Sequence, residues 1–139
     1  MAAFNKFQSF VEALAEKVHN LGADTLEIAL CNAANAPVAG NSVLGDLTQI
    51  SYTNLTADRT LSVTGSTQTG GVYKLTITDK VLTASGGPVA AFQYAVIFNQ
   101  TAASDELVGW YDYESEVTLL ENESITIDFD DANGVLTIA

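Results

Sequence analysis

Phe92-Gln93-Tyr94-Ala95-Val96-Ile97-Phe98 is apolar along its whole length except at Gln93, which places it at the centre of a sheet. Working outward, Leu107–Tyr113 carries Trp110, Tyr111 and Tyr113, aromatics suited to a pleated surface. Val117–Leu120, Ile125–Asp130 and Val135–Ile138 follow as short strands, the last two flanking Asp131-Ala132-Asn133-Gly134, and Asn-Gly is a strong hairpin signal. Upstream, Val81–Ala84 runs into the breaker cluster Ser85-Gly86-Gly87-Pro88. In Val72–Thr78 the residues Tyr73, Leu75 and Ile77 share a face, and before it Leu61–Val63 leads into a turn-rich stretch at 65–71. Leu26, Ile28 and Leu30 alternate with Thr25, Glu27 and Ala29, the period of a half-buried strand. Eight or so short strands separated by turn residues predict a mainly β chain, an antiparallel sandwich or barrel-like fold.

The N-terminal segment reads differently. Phe4, Phe7, Val11, Leu14, Val18 and Leu21 recur at steps of three or four, which predicts one α-helix over 5–21. Asn5 with Gln8 resembles a capping box, and Gly22 is suited to the position just beyond the helix. Residues 32–60 form the least regular part, a long connection with one helical turn expected near 43–49, capped by Asn41 or Ser42. A connection of that length is usually functional or packed on a partner. The 139 residues are expected to form a single domain, large enough to bury a core without staples.

Charge is the strongest compositional signal. Seventeen acids face five bases for a formal net charge of −12, and no basic residue follows Lys80. Such a surface repels nucleic acid, whose binding rests on Lys and Arg neutralising phosphates, and it disfavours anionic membranes. No stretch approaches the ~20 apolar residues of a membrane span. Lys6, Glu12, Glu16 and Lys17 interrupt any signal-peptide core, so synthesis in the cytoplasm is expected.

The residues for common chemistries are missing or unpaired. Cys31 is the one cysteine and His19 the one histidine, and Cys31 is expected to serve as a small apolar residue. Asp128-Phe129-Asp130-Asp131-Ala132-Asn133-Gly134 invites a calcium reading, yet counting back from Gly134 puts Phe129 where the first ligand belongs. The many carboxylates invite a glycosidase reading, but each falls where a solvent-facing strand residue or turn is expected. There is no phosphate-binding glycine loop, serine elbow or Cys/His cluster, so no catalytic residue, metal or cofactor is expected. Sequons at Asn54, Asn99 and Asn122 carry little meaning without a secretory signal.

Several stretches resemble small structural proteins of tailed-bacteriophage virions, most closely capsid decoration (cement) proteins. They are Phe4-Asn5-Lys6-Phe7-Gln8-Ser9-Phe10-Val11-Glu12-Ala13-Leu14 through His19-Asn20-Leu21-Gly22, Tyr94-Ala95-Val96-Ile97-Phe98-Asn99, Leu107-Val108-Gly109-Trp110-Tyr111-Asp112-Tyr113, and Ile127-Asp128-Phe129-Asp130 to Gly134-Val135-Leu136. The resemblance implies a jelly-roll-like β sandwich that binds the outside of an assembled shell without doing chemistry. Its expected partners are the phage major capsid protein and further copies of itself, as a homodimer or homotrimer, and its expected place is the capsid exterior. Partner contact is expected from the N-terminal segment and the 32–60 connection, at Phe4, Phe7, Val11, Pro37, Val43 and Leu44. A tail, baseplate or fibre component is the alternative within virions. A carbohydrate-binding module, argued from Trp110, Tyr111 and Tyr113, is the alternative outside them.

Overall fold

A computed structural model describes residues 2–139. Its strands are β1 (Phe4–Lys6), β2 (Leu26–Cys31), β3 (Val63–Thr69), β4 (Val72–Ile77), β5 (Lys80–Thr83), β6 (Phe92–Asn99), β7 (Leu107–Val117), β8 (Ser124–Ile127) and β9 (Leu136–Ile138), with one helix, α1 (Ser9–Ala15). Every pairing is antiparallel: a four-stranded sheet β1-β7-β6-β2, a three-stranded sheet β3-β4-β9 and a two-stranded sheet β5-β8. The chain is a mainly β sandwich with one helix.

The large sheet explains the apolar run at 92–98. Ala95 and Ile97 of β6, with Leu26, Ile28 and Leu30 of β2, face a core completed by Leu75 and Ile77 of β4, Leu82 of β5 and Ile127 of β8. On the opposite face Val96, Phe98, Ala29, Cys31 and Leu107 form a second cluster with Phe7, covered by Leu44, Leu47 and Trp110. A strand buried on both faces has no polar side to show, so its sequence loses the alternation of a half-exposed strand.

The connection at 32–60 serves both faces: Leu44 and Leu47 cover this second cluster, while Ile50 and Leu55 join the main core. It returns along the outer edge of β2, where the Ile50 amide donates to Leu30 O at 3.0 Å, the Ile28 amide to Arg59 O at 3.0 Å and the Leu61 amide to Leu26 O at 2.8 Å. These bonds close an edge that would otherwise be open to strand addition. The expected helical turn is a 3-10 turn at Leu44–Asp46. Its cap is not Asn41 or Ser42: the Asp46 carboxylate reaches back to accept from the Ser42 and Val43 amides at 2.8 and 3.1 Å.

The N-terminal helix is shorter than the 5–21 its periodicity predicts. Phe4–Lys6 is pulled into the large sheet, with Phe4 opposite Tyr111 and Lys6 opposite Gly109, because β7 offers a free edge there. Asn5 caps nothing; its amide nitrogen donates to Ala3 O and Trp110 O. The helix ends early because Lys17 takes a left-handed conformation (φ 68°). The Val18 amide then donates to Ala13 O at 2.8 Å and the Lys17 amide to Leu14 O at 3.3 Å, the paired bonds of a Schellman terminus. Lysine is not the usual residue there, so Gly22 was the more visible but wrong stop signal.

Further boundaries differ, and the strand expected at 117–120 is absent: Val117 ends β7 and 118–120 is irregular. Much of 65–71 is strand, and the turn is confined to Gly70-Gly71 (φ 59° and 85°), the two positive angles a tight hairpin needs. Asn133-Gly134 does not join two paired strands: β8 pairs with β5 and β9 with β4. The Asp130 side chain instead accepts from the Ala132 and Asn133 amides at 2.9 and 2.8 Å, making a local turn that carries the chain from one small sheet to the other.

Candidate interaction surface

Of the six residues expected to contact a partner, the structure buries two outright. Phe7 is fully enclosed behind the large sheet, its ring 4.6 Å from that of Trp110. Pro37 is also buried. Phe4 is half-buried, edge-on to the Tyr111 ring at 5.7 Å. Val43 and Leu44 are half-buried beside the β6–β7 turn, where Val43 bridges to Glu106 and the Leu44 amide donates to Asp105 O at 3.0 Å. Val11 alone is largely exposed, at 51 %. Phe7 and Leu44 thus come together on one face, whereas Val11 lies on another surface.

That other surface is a groove of about 670 Å³ between α1 and β9. Phe4 and Lys6 form one end, Phe10, Val11 and Leu14 the helical wall, and Leu136 and Ile138 the strand wall. A second hollow of about 350 Å³ continues it past Leu14, Ala15 and Ile138 to Lys17, Ser66 and Tyr73. The groove arises because β1 and β9 end their sheets on the same side of the sandwich and α1, only seven residues long, covers the gap incompletely. Sequence reasoning found Val11 through the helical period but missed Leu136 and Ile138. No local signal sets two strands, one at each end of the chain, beside one another.

The titratable groups in the interior are dispersed. Cys31 sits in the second cluster, and burial pushes its thiol up to about 11, so it is a thiol at neutral pH. His19 is 5 % exposed and its Nδ1 lies 3.0 Å from the side-chain nitrogen of Asn99, which also donates to Asp24 Oδ2 at 2.6 Å. Burial lowers the His19 pKa, while Glu106 and Asp24 pull it the other way. Among the described residues no three His, Cys, Asp or Glu side chains converge as metal ligands. Asp130, in the segment that invites a calcium reading, is held below the ordinary carboxylate range by the Asn133 amide and side chain and by the Ala132 amide.

Trp110, Tyr111 and Tyr113 do not form one stacking platform. Trp110 packs on the outer face with Phe7, while Tyr111 and Tyr113 pack on the main core, as alternation along β7 demands. Burial pushes both phenols up, Tyr113 to about 12. Compared with protein-family models, with curated proteins and with solved structures, the chain matches none.

Proposed function

We propose that this chain is a non-enzymatic structural protein of a tailed-phage virion, a decoration protein that binds the assembled capsid shell from outside and stabilises it. The observation that carries this reading is where the resembling stretches lie. Phe4–Gly22, Tyr94–Asn99 and Leu107–Tyr113 build β1, α1, most of β6 and the first part of β7 in the large sheet, and the fourth stretch, Ile127–Leu136, joins β8 to β9 in the two small sheets. The resemblance therefore concerns a scaffold, as expected of a protein whose task is to be a rigid body.

The physical design supports the same reading. Both faces of the large sheet are covered by the chain itself, so the module presents a fixed shape. Binding only the assembled state stabilises that state by mass action, and many copies on neighbouring subunits add to the effect. A net charge of −12 suits a protein on the outside of a shell, away from packaged DNA. The 32–47 part of the connection is the proposed shell-facing region, where Val38 is 58 % exposed beside half-buried Val43 and Leu44.

Quantitative mass spectrometry of purified virions tests the proposal. The expected result is a copy number that is a simple fraction of the major capsid protein, set by the symmetry axes of the shell. A handful of copies per particle would move the chain to the tail, and absence from particles would overturn the virion reading.

A further inference from the structure

The distribution of charge singles out two surfaces. Of the five bases, Arg59 pairs with Glu27 at 3.9 Å, Lys80 with Asp58 at 4.0 Å, and Lys74 donates to Ala132 O at 3.1 Å. Among the described residues Lys6 and Lys17 have neither an ion-pair nor a hydrogen-bond partner for their ammonium groups. Both lie along the groove system between α1 and β9, Lys6 at one end and Lys17 at the other. Between them Val11 is 51 % and Ile138 38 % exposed. On a chain this acidic, two unpaired cations bracketing an apolar trough mark the place where a carboxylate-bearing apolar group is attracted rather than repelled.

The same chain displays the complementary shape. Leu120 is 58 % exposed at the tip of the turn leading into β8, with Glu121 and Glu123 beside it. The tip is rigid: the Leu120 amide donates to Glu123 Oε2 at 2.8 Å, the Glu123 amide to Leu120 O at 2.9 Å, and the Asn122 amide to Ala84 O at 2.9 Å. Leu119, buried beneath it, fixes its direction. A presented apolar side chain on a pre-ordered acidic turn loses little entropy on docking.

Tip and groove are well separated within one molecule. Phe4, at the groove, pairs with Tyr111, whereas the tip lies beyond the far end of β7, an extended distance of up to about 30 Å. The geometry points to a head-to-tail contact between copies of this chain, in which the Leu120–Glu123 tip of one copy seats in the α1–β9 groove of the next. Leu120 packs against Val11, Leu14 and Ile138, and Glu121 and Glu123 approach Lys6 and Lys17. A contact between two different patches is heterologous, so copies close into a ring where the rotation allows and extend as a chain where it does not. One small tip buries less than a standard interface of about 1,600 Å², so association is weak and depends on concentration. The contact rests on the surface of the chain alone and is independent of the virion reading.

Sedimentation equilibrium of the full chain tests it without virions. Wild type is expected to rise above the monomer mass as concentration approaches about 0.5 mM, a range that captures weak contacts. Val11→Glu and Leu120→Ser, at exposed positions, are each expected to stay monomeric with unchanged circular dichroism. Mixed in equal amounts they are expected to form a one-to-one dimer and nothing larger, because the Leu120→Ser chain keeps a good groove and the Val11→Glu chain a good tip. Monomeric wild type throughout, self-association of either variant, or a mixture that yields no dimer would each overturn the contact.

Discussion

Asn99 uses its whole side chain inside the protein, and that decides the state of His19. Its carbonyl oxygen accepts from the Thr101 and Ala102 amides at 3.0 and 3.2 Å, so its nitrogen must face Asp24 and His19 and donate to both. His19 Nδ1 is then an acceptor, and the imidazole is neutral with its proton on Nε2, a buried atom without a partner. A second proton on the ring would set donor against donor at Nδ1 in addition to the cost of burying the charge. The folded pKa is thus below the ordinary value of about 6.5, and the unfolded chain takes up the proton first as pH falls. Stability from this site is complete above about pH 6.5 and is lost on acidification towards the folded value, by at most about 1.4 kcal/mol per pH unit. Asp46, Asp58 and Asp130, held low mainly by backbone amides, contribute above the unfolded carboxylate range and lose their effect only at lower pH. Urea midpoints at about pH 7.5 and 5.5 isolate the histidine. Wild type is expected to weaken between them, His19→Gln much less, and equal slopes would refute the assignment.

At the scale of elements, the attachment of β1 depends on a missing side chain. At Gly109, opposite Lys6, a Cβ would overlap the edge of the Phe4 ring at Cε2 and Cζ and lie 2.7 Å from Asn5 O, and the backbone there cannot yield without β1 shifting. Gly109→Ala is expected to cost about 1–3 kcal/mol, by analogy with overpacked cores, and to lower the thermal midpoint by several degrees. Faster amide exchange in β1 should accompany it, and an unchanged midpoint would mean that β1 contributes little. The same element shows why the N-terminal periodicity misled. Phe7 and Phe10 are three residues apart, as on a helix face, yet Phe7 joins the outer cluster and Phe10 the main core. Two apolar residues at helical spacing also fit a strand end followed by a short helix, and only the free edge of β7 selects that arrangement. β2 and β4 were legible because their apolar alternation follows the pleat, and β6 because a strand buried on both faces reads as a near-continuous apolar run. β3 was not, because an outer strand of Thr, Ser and Gln has the composition of a loop.

For the whole molecule, charge is the term still open to manipulation. The two ion pairs among the described residues, at 3.9 and 4.0 Å, are long, and the other fifteen of the seventeen acids remain to repel one another across a small surface. Salt screens such repulsion, with a Debye length of about 30 Å at 0.01 M and about 3 Å at 1 M. The thermal midpoint is therefore expected to rise with sodium chloride in scanning calorimetry, and a fall would mean that attractive pairs outweigh the repulsion. What the sequence by itself determined is local: the strand periods, the acidic surface, the irregularity of 32–60 and the absence of familiar catalytic motifs. Each depends on residues within a few positions of one another. The candidate surface was legible only at Phe4 and Val11, since the groove needs strands from opposite ends of the chain. Only the tertiary structure decided that 32–60 divides between the two faces of the sheet, that β9 pairs with β4 instead of β8, and that Phe7 is enclosed while Val11 is free. Those outcomes follow from closing sheet edges and burying both faces at once. That requirement acts between residues distant in sequence and leaves no mark on any one segment.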